Sequence, residues 1–137
     1  AFADRLTLKR VRAEGNEHGA SCNYQLVGTD VIASNNLHFG VWSQAGTVRI
    51  RGLTATNNGW YGAIATQGGR VALIDSTVTG NATSYGSIDI GSSKRPTLKR
   101  VTCGHSSNSS SVFSTSGTTW ESAQTIDELA HDTHVAN

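Results

Sequence analysis

Few residues in this 137-residue chain combine a reactive type with a suggestive spacing. Carboxylates come first. Asp30, Asp75 and Asp89 are the acids that fall in or beside strand-like stretches, and Asp30 and Asp75 occupy the same place in a repeat set out below. Two turns of that repeat separate them, ~9–10 Å at normal strand spacing. That is near the upper end of the carboxylate separation used for inverting glycoside hydrolysis. His105, in Gly104-His105-Ser106, is the third candidate for proton transfer. Asp30, Asp75 and His105 are therefore the catalytic candidates. The simpler account of the two aspartates is a row of solvated charges, because Arg10 and Arg100 share their column, and that account is preferred. No two aspartates are adjacent and the ten acids are scattered. His131 and His134 have helical i, i+3 spacing and could touch a metal, but they sit in a polar tail. There is no CxxC, HExxH, Gly-x-Ser-x-Gly or Walker-type loop. No metal site and no cofactor are expected.

Binding residues form a clearer pattern. One column of the repeat reads His18, Phe39, Tyr61, Tyr85, and the column beside it reads Glu17, His38, Trp60, Ser84. Rings in successive turns would lie about one strand spacing apart, close enough for offset stacking. Such a row braces a corner, and it also offers faces on which sugars stack; the bracing role is preferred and the two are compatible. Tyr61 can supply the stack while the neighbouring Trp60 points elsewhere. Trp42, in a column with Ser21, Ile64 and Ile88, reads as core. Outward cations form an interrupted strip: Lys9, Arg10 and Arg12, then Arg49 and Arg51, then Lys99 and Arg100. Arg and Lys pair with carboxylates of acidic sugars, although outward strand positions carry charge for solubility alone. The carbohydrate-binding candidates are His38, Trp60, Tyr61, Tyr85, Arg49 and Arg51.

The elements that must position these residues are repeats. With Asn58 as anchor, equivalent anchors fall at Asn16, Asn36, Asn81 and Ser106, separated by 20, 22, 23 and 25 residues. Eight before the anchor stand Leu8, Gly28, Ile50, Leu73 and Leu98. Five before stand Val11, Val31, Leu53, Ser76 and Val101. Three before stand Ala13, Ala33, Ala55, Val78 and Cys103. Intervening positions are mostly charged, Ser or Thr, so within a turn the apolar residues alternate as in a strand with one buried face. The three-residue step from the first column to the second breaks the alternation and predicts a corner that keeps both residues inside. A second corner is predicted at Asn and Gly, which tolerate left-handed backbone. Three short strands per turn coil the chain into a parallel β-solenoid whose turns bury their apolar faces against one another.

These columns, with their recurring asparagine, resemble the right-handed parallel β-helix of pectate lyases, polygalacturonases and phage tailspikes, over roughly residues 4–116. The resemblance implies an asparagine ladder with side-chain amides bonded along the axis. It also implies chemistry on polysaccharides, by lyases, glycoside hydrolases or epimerases, or a trimeric assembly. The chain departs from the catalytic patterns: a polygalacturonase-like site would have paired aspartates and Gly-His-Gly, and a pectate-lyase-like site a calcium-binding acid cluster beside an Arg. The epimerase-like Tyr-Gly is echoed only by Tyr61-Gly62.

The expected fold is thus all-β, a single-domain right-handed parallel β-helix of about five turns. A short C-terminal cap follows over 117–137, helical from Thr125 as N-cap with Glu128 at its third position. Fifteen Gly and one Pro suit a corner-rich β protein. Net charge is +1, so nothing in bulk charge argues for nucleic acid. No stretch is long and apolar enough for a membrane span. Cys22 and Cys103 fall about four turns apart, too far to bridge. The short segment before the first strand leaves a solenoid end to be covered, so a homo-oligomer or a longer solenoid is expected. Ala1-Phe2-Ala3 resembles the small-residue end of a signal peptide, which with the polysaccharide reading suggests an extracellular, cell-surface or virion-surface setting. Three functions remain: a module binding extended polysaccharide along a lateral face, which leads; an enzyme on polysaccharide, or part of one; and a structural or assembly module.

Overall fold

The computed structural model describes residues 3–81, 89–94 and 96–103, and the backbone of three further segments, 106–108, 114–116 and 119–120. All regular structure among the described residues is strand: β1 (Ala3–Arg12), β2 (Ala20–Ile32), β3 (Phe39–Ser43), β4 (Thr47–Thr56), β5 (Tyr61–Ala65), β6 (Arg70–Thr79), β7 (Ile90–Ser92), β8 (Thr97–Cys103), β9 (Ser106–Asn108), β10 (Ser114–Ser116) and β11 (Thr119–Trp120). Every pairing is parallel and most join strands that are not consecutive. The result is a parallel β-solenoid of about four turns rather than five.

The registers reproduce the predicted columns. Leu8, Gly28, Ile50, Leu73 and Leu98 pair in succession, as do Lys9, Thr29, Arg51, Ile74 and Lys99. Alternation explains why: in β4, Val48, Ile50, Leu53 and Ala55 are buried while Arg49, Arg51 and Thr54 are exposed. The corner between Ile50 and Leu53 is a stack of left-handed residues, Arg10, Asp30, Gly52, Asp75 and Arg100, with φ between 50 and 77°. Left-handed backbone costs a non-glycine residue ~1–2 kcal/mol, and apolar packing on both sides of the corner holds it there. Strand β4 therefore supplies two faces of its turn, 47–51 and 53–56, and β5 supplies the third. The core runs through all three, with Leu26, Ile50, Leu53, Leu73, Ile90 and Leu98 among its largest fully buried side chains.

The second corner uses Gly15, Asn35, Asn57 and Gly80, all at positive φ. The anchor asparagines follow immediately and form the ladder. Asn58 accepts from the backbone N–H and Nδ2 of Asn36, at 3.0 and 2.9 Å. Its own Nδ2 donates to Ala33 O and to Asn81 Oδ1, both at 2.8 Å. Both donors and both acceptor sites of the amide are thus used in a side chain 1% exposed. Gly15 and Gly80 serve the expected purpose, but Gly40 and Gly62, a few residues past the corner, serve another. A Cβ on Gly40 would lie 2.4 Å from Gly62 O, and one on Gly62 would lie 2.3 Å from Val78 Cγ1 and 2.7 Å from Asn81 Nδ2. Glycine stands there for space beside the ladder.

Two column assignments need correction. Asn81 donates from its backbone N–H and its Nδ2 to Asp89 Oδ1, at 2.9 and 2.8 Å, so a buried carboxylate ends the described ladder where Ser106 was expected. Ser106, the predicted fifth anchor, instead pairs with Ile90, and Ile64 lies opposite Gly91 rather than Ile88. Both cysteines are buried and in no disulfide, and burial pushes the Cys22 thiol up against the opposing hydrogen bonds of Ser43 and Tyr24. The predicted cap helix and tail, including Glu128, His131 and His134, lie outside the described residues. No helix among the described residues is long and apolar enough to cross a membrane.

Candidate functional site

The aromatic columns come together on the outer side of β3 and β5. Alternation in β3 turns Val41 and Ser43 inward and Trp42 outward. The column of His18, Phe39 and Tyr61 forms a stacked file: His18 to Phe39 has centroids 5.1 Å apart at 19°, and Phe39 to Tyr61 6.1 Å at 22°. The adjacent column forms a second file, His38 on Trp60, at 4.1 Å and 26°. Trp60 meets Phe39 edge-on at 5.2 Å, so the files are laced together. Trp60 therefore belongs to the stack rather than pointing away from it. Phe39 is buried, while Trp60, Tyr61, His18 and His38 remain partly exposed.

Trp42 is not core. It is half-buried on this outer face, 4.9 Å from the Phe39 ring, and its Nε1 donates to Thr66 Oγ1 at 3.1 Å. Next to it Ile64 packs under the rings, and Gly91 leaves room for Tyr61, whose Cε1 would lie 3.0 Å from a Cβ there. Six rings thus share one lateral patch. Tyr85, the predicted continuation of the Tyr61 column, lies outside the described residues.

Arg49 and Arg51 belong to a different face. Both are exposed on β4, where they border a shallow groove of about 290 Å³ floored by Gly28, Ile50 and Leu73. Arg49 also lines a cleft of about 340 Å³ at the third corner with Arg70, Lys94, Gly46, Gly68 and Gly69. The rings line neither cavity, so the binding candidates divide into an aromatic patch and a basic edge. Arg70 and Lys94 were not singled out from sequence. Their common edge depends on the lengths of the third corners, which the repeat columns do not register.

The catalytic candidates are placed at corners. Asp30 and Asp75 both occupy the left-handed column, at φ 56 and 50°. Arg100 donates to both carboxylate oxygens of Asp75, from Nε and, at 3.1 Å, from Nη2. That bond, reinforced by the nearby charges of Arg51 and Lys99, holds the Asp75 carboxyl below the usual carboxylate range. Asp30 approaches the neighbouring turn, its Oδ1 lying 2.9 Å from where a Cβ on Gly52 would sit. His105 lies outside the described residues.

One constellation was not anticipated. Glu17 and His18 from the first turn meet His38 from the second, with one ligand-capable atom of each within 4.8 Å of the others. The chain matches no protein-family model, no curated protein and no solved structure.

Proposed function

We propose that this solenoid is a carbohydrate-associated module that binds extended polysaccharide along its lateral face, the rings of Trp60, Tyr61 and Trp42 receiving the sugars. The observation that carries this reading is the two laced ring files on the outer side of β3 and β5. Aromatic side chains left half-exposed on a rigid sheet present apolar faces at turn-by-turn spacing, with polar groups such as Thr66 and His38 at their margins. A linear sugar chain has the matching form, apolar faces alternating with hydroxyl edges. The basic edge of Arg49, Arg51, Arg70 and Lys94 suits a polysaccharide that carries carboxylates. We read the parallel β-solenoid as akin to the pectate-lyase-like and tailspike-like β-helices, and the setting that goes with this reading is an extracellular, cell or virion surface.

A polysaccharide-modifying enzyme is less well supported. Asp75 is held by Arg100, and Asp30 sits at the left-handed corner two turns away from it. The experiment is affinity electrophoresis in gels cast with neutral or acidic polysaccharides. Trp60→Ala should abolish retardation with the far-ultraviolet circular dichroism unchanged, while Arg49→Ala with Arg70→Ala should reduce retardation by acidic chains only. Loss of fold in Trp60→Ala would make the ring a packing residue. Retardation unaltered by all of these changes would refute the assignment.

A further inference from the structure

We infer that Glu17, His18 and His38 form a binding site for a borderline divalent transition metal, of which Zn²⁺ is the representative ion. The three residues come from neighbouring columns of the first two turns, so the ion would join successive turns at the edge of the ring patch. Glu17 Oε1 lies 3.4 Å from His18 Nε2 and 3.9 Å from His38 Nδ1. Both separations are long for a hydrogen bond. The first is close to the ~3.3 Å that separates neighbouring ligands of a tetrahedral zinc with bonds of ~2.0–2.1 Å, and the second exceeds it by roughly half an ångström. All three ligand atoms lie within 4.8 Å of one another, so closing the widest gap takes side-chain adjustments that total about 1.5 Å.

A second observation points the same way. Nδ1 of His18 and Nδ1 of His38 are both buried and have no hydrogen-bond partner among the described residues. A buried imidazole nitrogen without a partner is costly and calls for one. For His38 the unpartnered atom is the one that faces Glu17. A cation between them satisfies the nitrogen and neutralises the carboxylate in one step. The rings are already fixed, His38 by its stack on Trp60 and His18 by its stack on Phe39, so binding costs little further side-chain entropy. Two imidazoles and one carboxylate select zinc, cobalt, nickel or copper over calcium and magnesium, which require oxygen ligands. A three-residue set leaves a coordination position for water or an added ligand.

The test is titration of the chelator-treated full chain with Co²⁺ and Zn²⁺, followed by calorimetry and by the visible absorption of bound cobalt. One equivalent should bind, Zn²⁺ should displace Co²⁺, and Ca²⁺ should not compete. Glu17→Gln changes an exposed side chain and keeps the fold, and it should weaken binding by at least the ~10–100-fold that loss of even an outer-shell partner costs. His38→Gln should remove binding, checked against an unchanged circular dichroism spectrum. His131→Ala with His134→Ala should leave the affinity unaltered. No stoichiometric binding, binding indifferent to Glu17→Gln, or binding lost with the two tail histidines would each overturn the site.

Discussion

Replacing Asn58 with Ala removes four hydrogen bonds from a fully buried position. Two losses matter most. The Asn36 backbone N–H loses the Asn58 Oδ1 acceptor, and Ala33 O loses the Asn58 Nδ2 donor. Asn36 Nδ2 keeps Ala13 O, and Asn81 Oδ1 keeps the Asn58 backbone N–H, so those groups are partly compensated. At ~1–3 kcal/mol for each of these two buried groups left unpaired, the substitution should cost about 2–6 kcal/mol. The neighbouring residue supplies the control. Asn57 is exposed and contributes to the corner through its φ of 57°, so Asn57→Gly should be nearly neutral. The assay is urea denaturation read by circular dichroism and by tryptophan fluorescence, with the slope compared between variants. A midpoint for Asn58→Ala equal to wild type, or a larger loss in Asn57→Gly than in Asn58→Ala, would refute the ladder as the stabilising element of this corner.

Three further predictions follow from the same geometry. Gly62→Ala forces a Cβ against Val78 and Asn81 and should cost about 1–3 kcal/mol in urea denaturation, despite ordinary backbone dihedrals at that position. Asp75→Asn should lower stability near neutral pH. Because Arg100 depresses the folded carboxyl, its contribution is present above the unfolded carboxylate range and disappears as pH falls through the depressed value, so wild type and variant should converge in acid. Cys22 and Cys103 should resist a thiol reagent in the native protein and both react in denaturant, since both are buried and the Cys22 thiol is pushed up by burial.

Much of the coil was legible because its signal is repeated. Leu8, Ile50, Leu73 and Leu98 mark one inner face in four separate turns, and a three-residue step to Val11, Leu53 and Val101 marks the corner each time. Legibility failed in the fourth turn. Asn58 precedes Gly62 by four residues, whereas Asn81 precedes Asp89, the residue whose carbonyl pairs with Gly62, by eight. Tyr85-Gly86 resembles Tyr61-Gly62 and invited an alignment without that insertion, which put Ser106 in the anchor column although it pairs with Ile90. Trp42 was misplaced for a different reason: its column was aligned in the right register but assigned to the inner face, whereas alternation around the buried Val41 and Ser43 turns it outward. Its column, Ser21, Trp42 and Ile64, mixes polar and apolar types and gave no warning.

The candidate site was legible as columns and not as a surface. The columns of His38 with Trp60 and of Phe39 with Tyr61 follow from register, whereas Trp60 was expected to point elsewhere and instead joins the stack. The separation of Arg49 and Arg51 from those rings depends on which of three faces each strand supplies, and a linear pattern does not carry that angle. Glu17 and His38 share a column with His18 beside it, so the cluster was present in the alignment. The aromatic reading of the same columns absorbed them.

The most direct measurement of the central claim is to incubate the protein with a panel of neutral and acidic polysaccharides and read bound protein and newly released chain ends from the same tubes. The account predicts saturable retention on at least one polysaccharide, no release of ends, and loss of retention in Trp60→Ala. Retention by none of them, or release of ends that Asp30→Asn or Asp75→Asn removes, would contradict it.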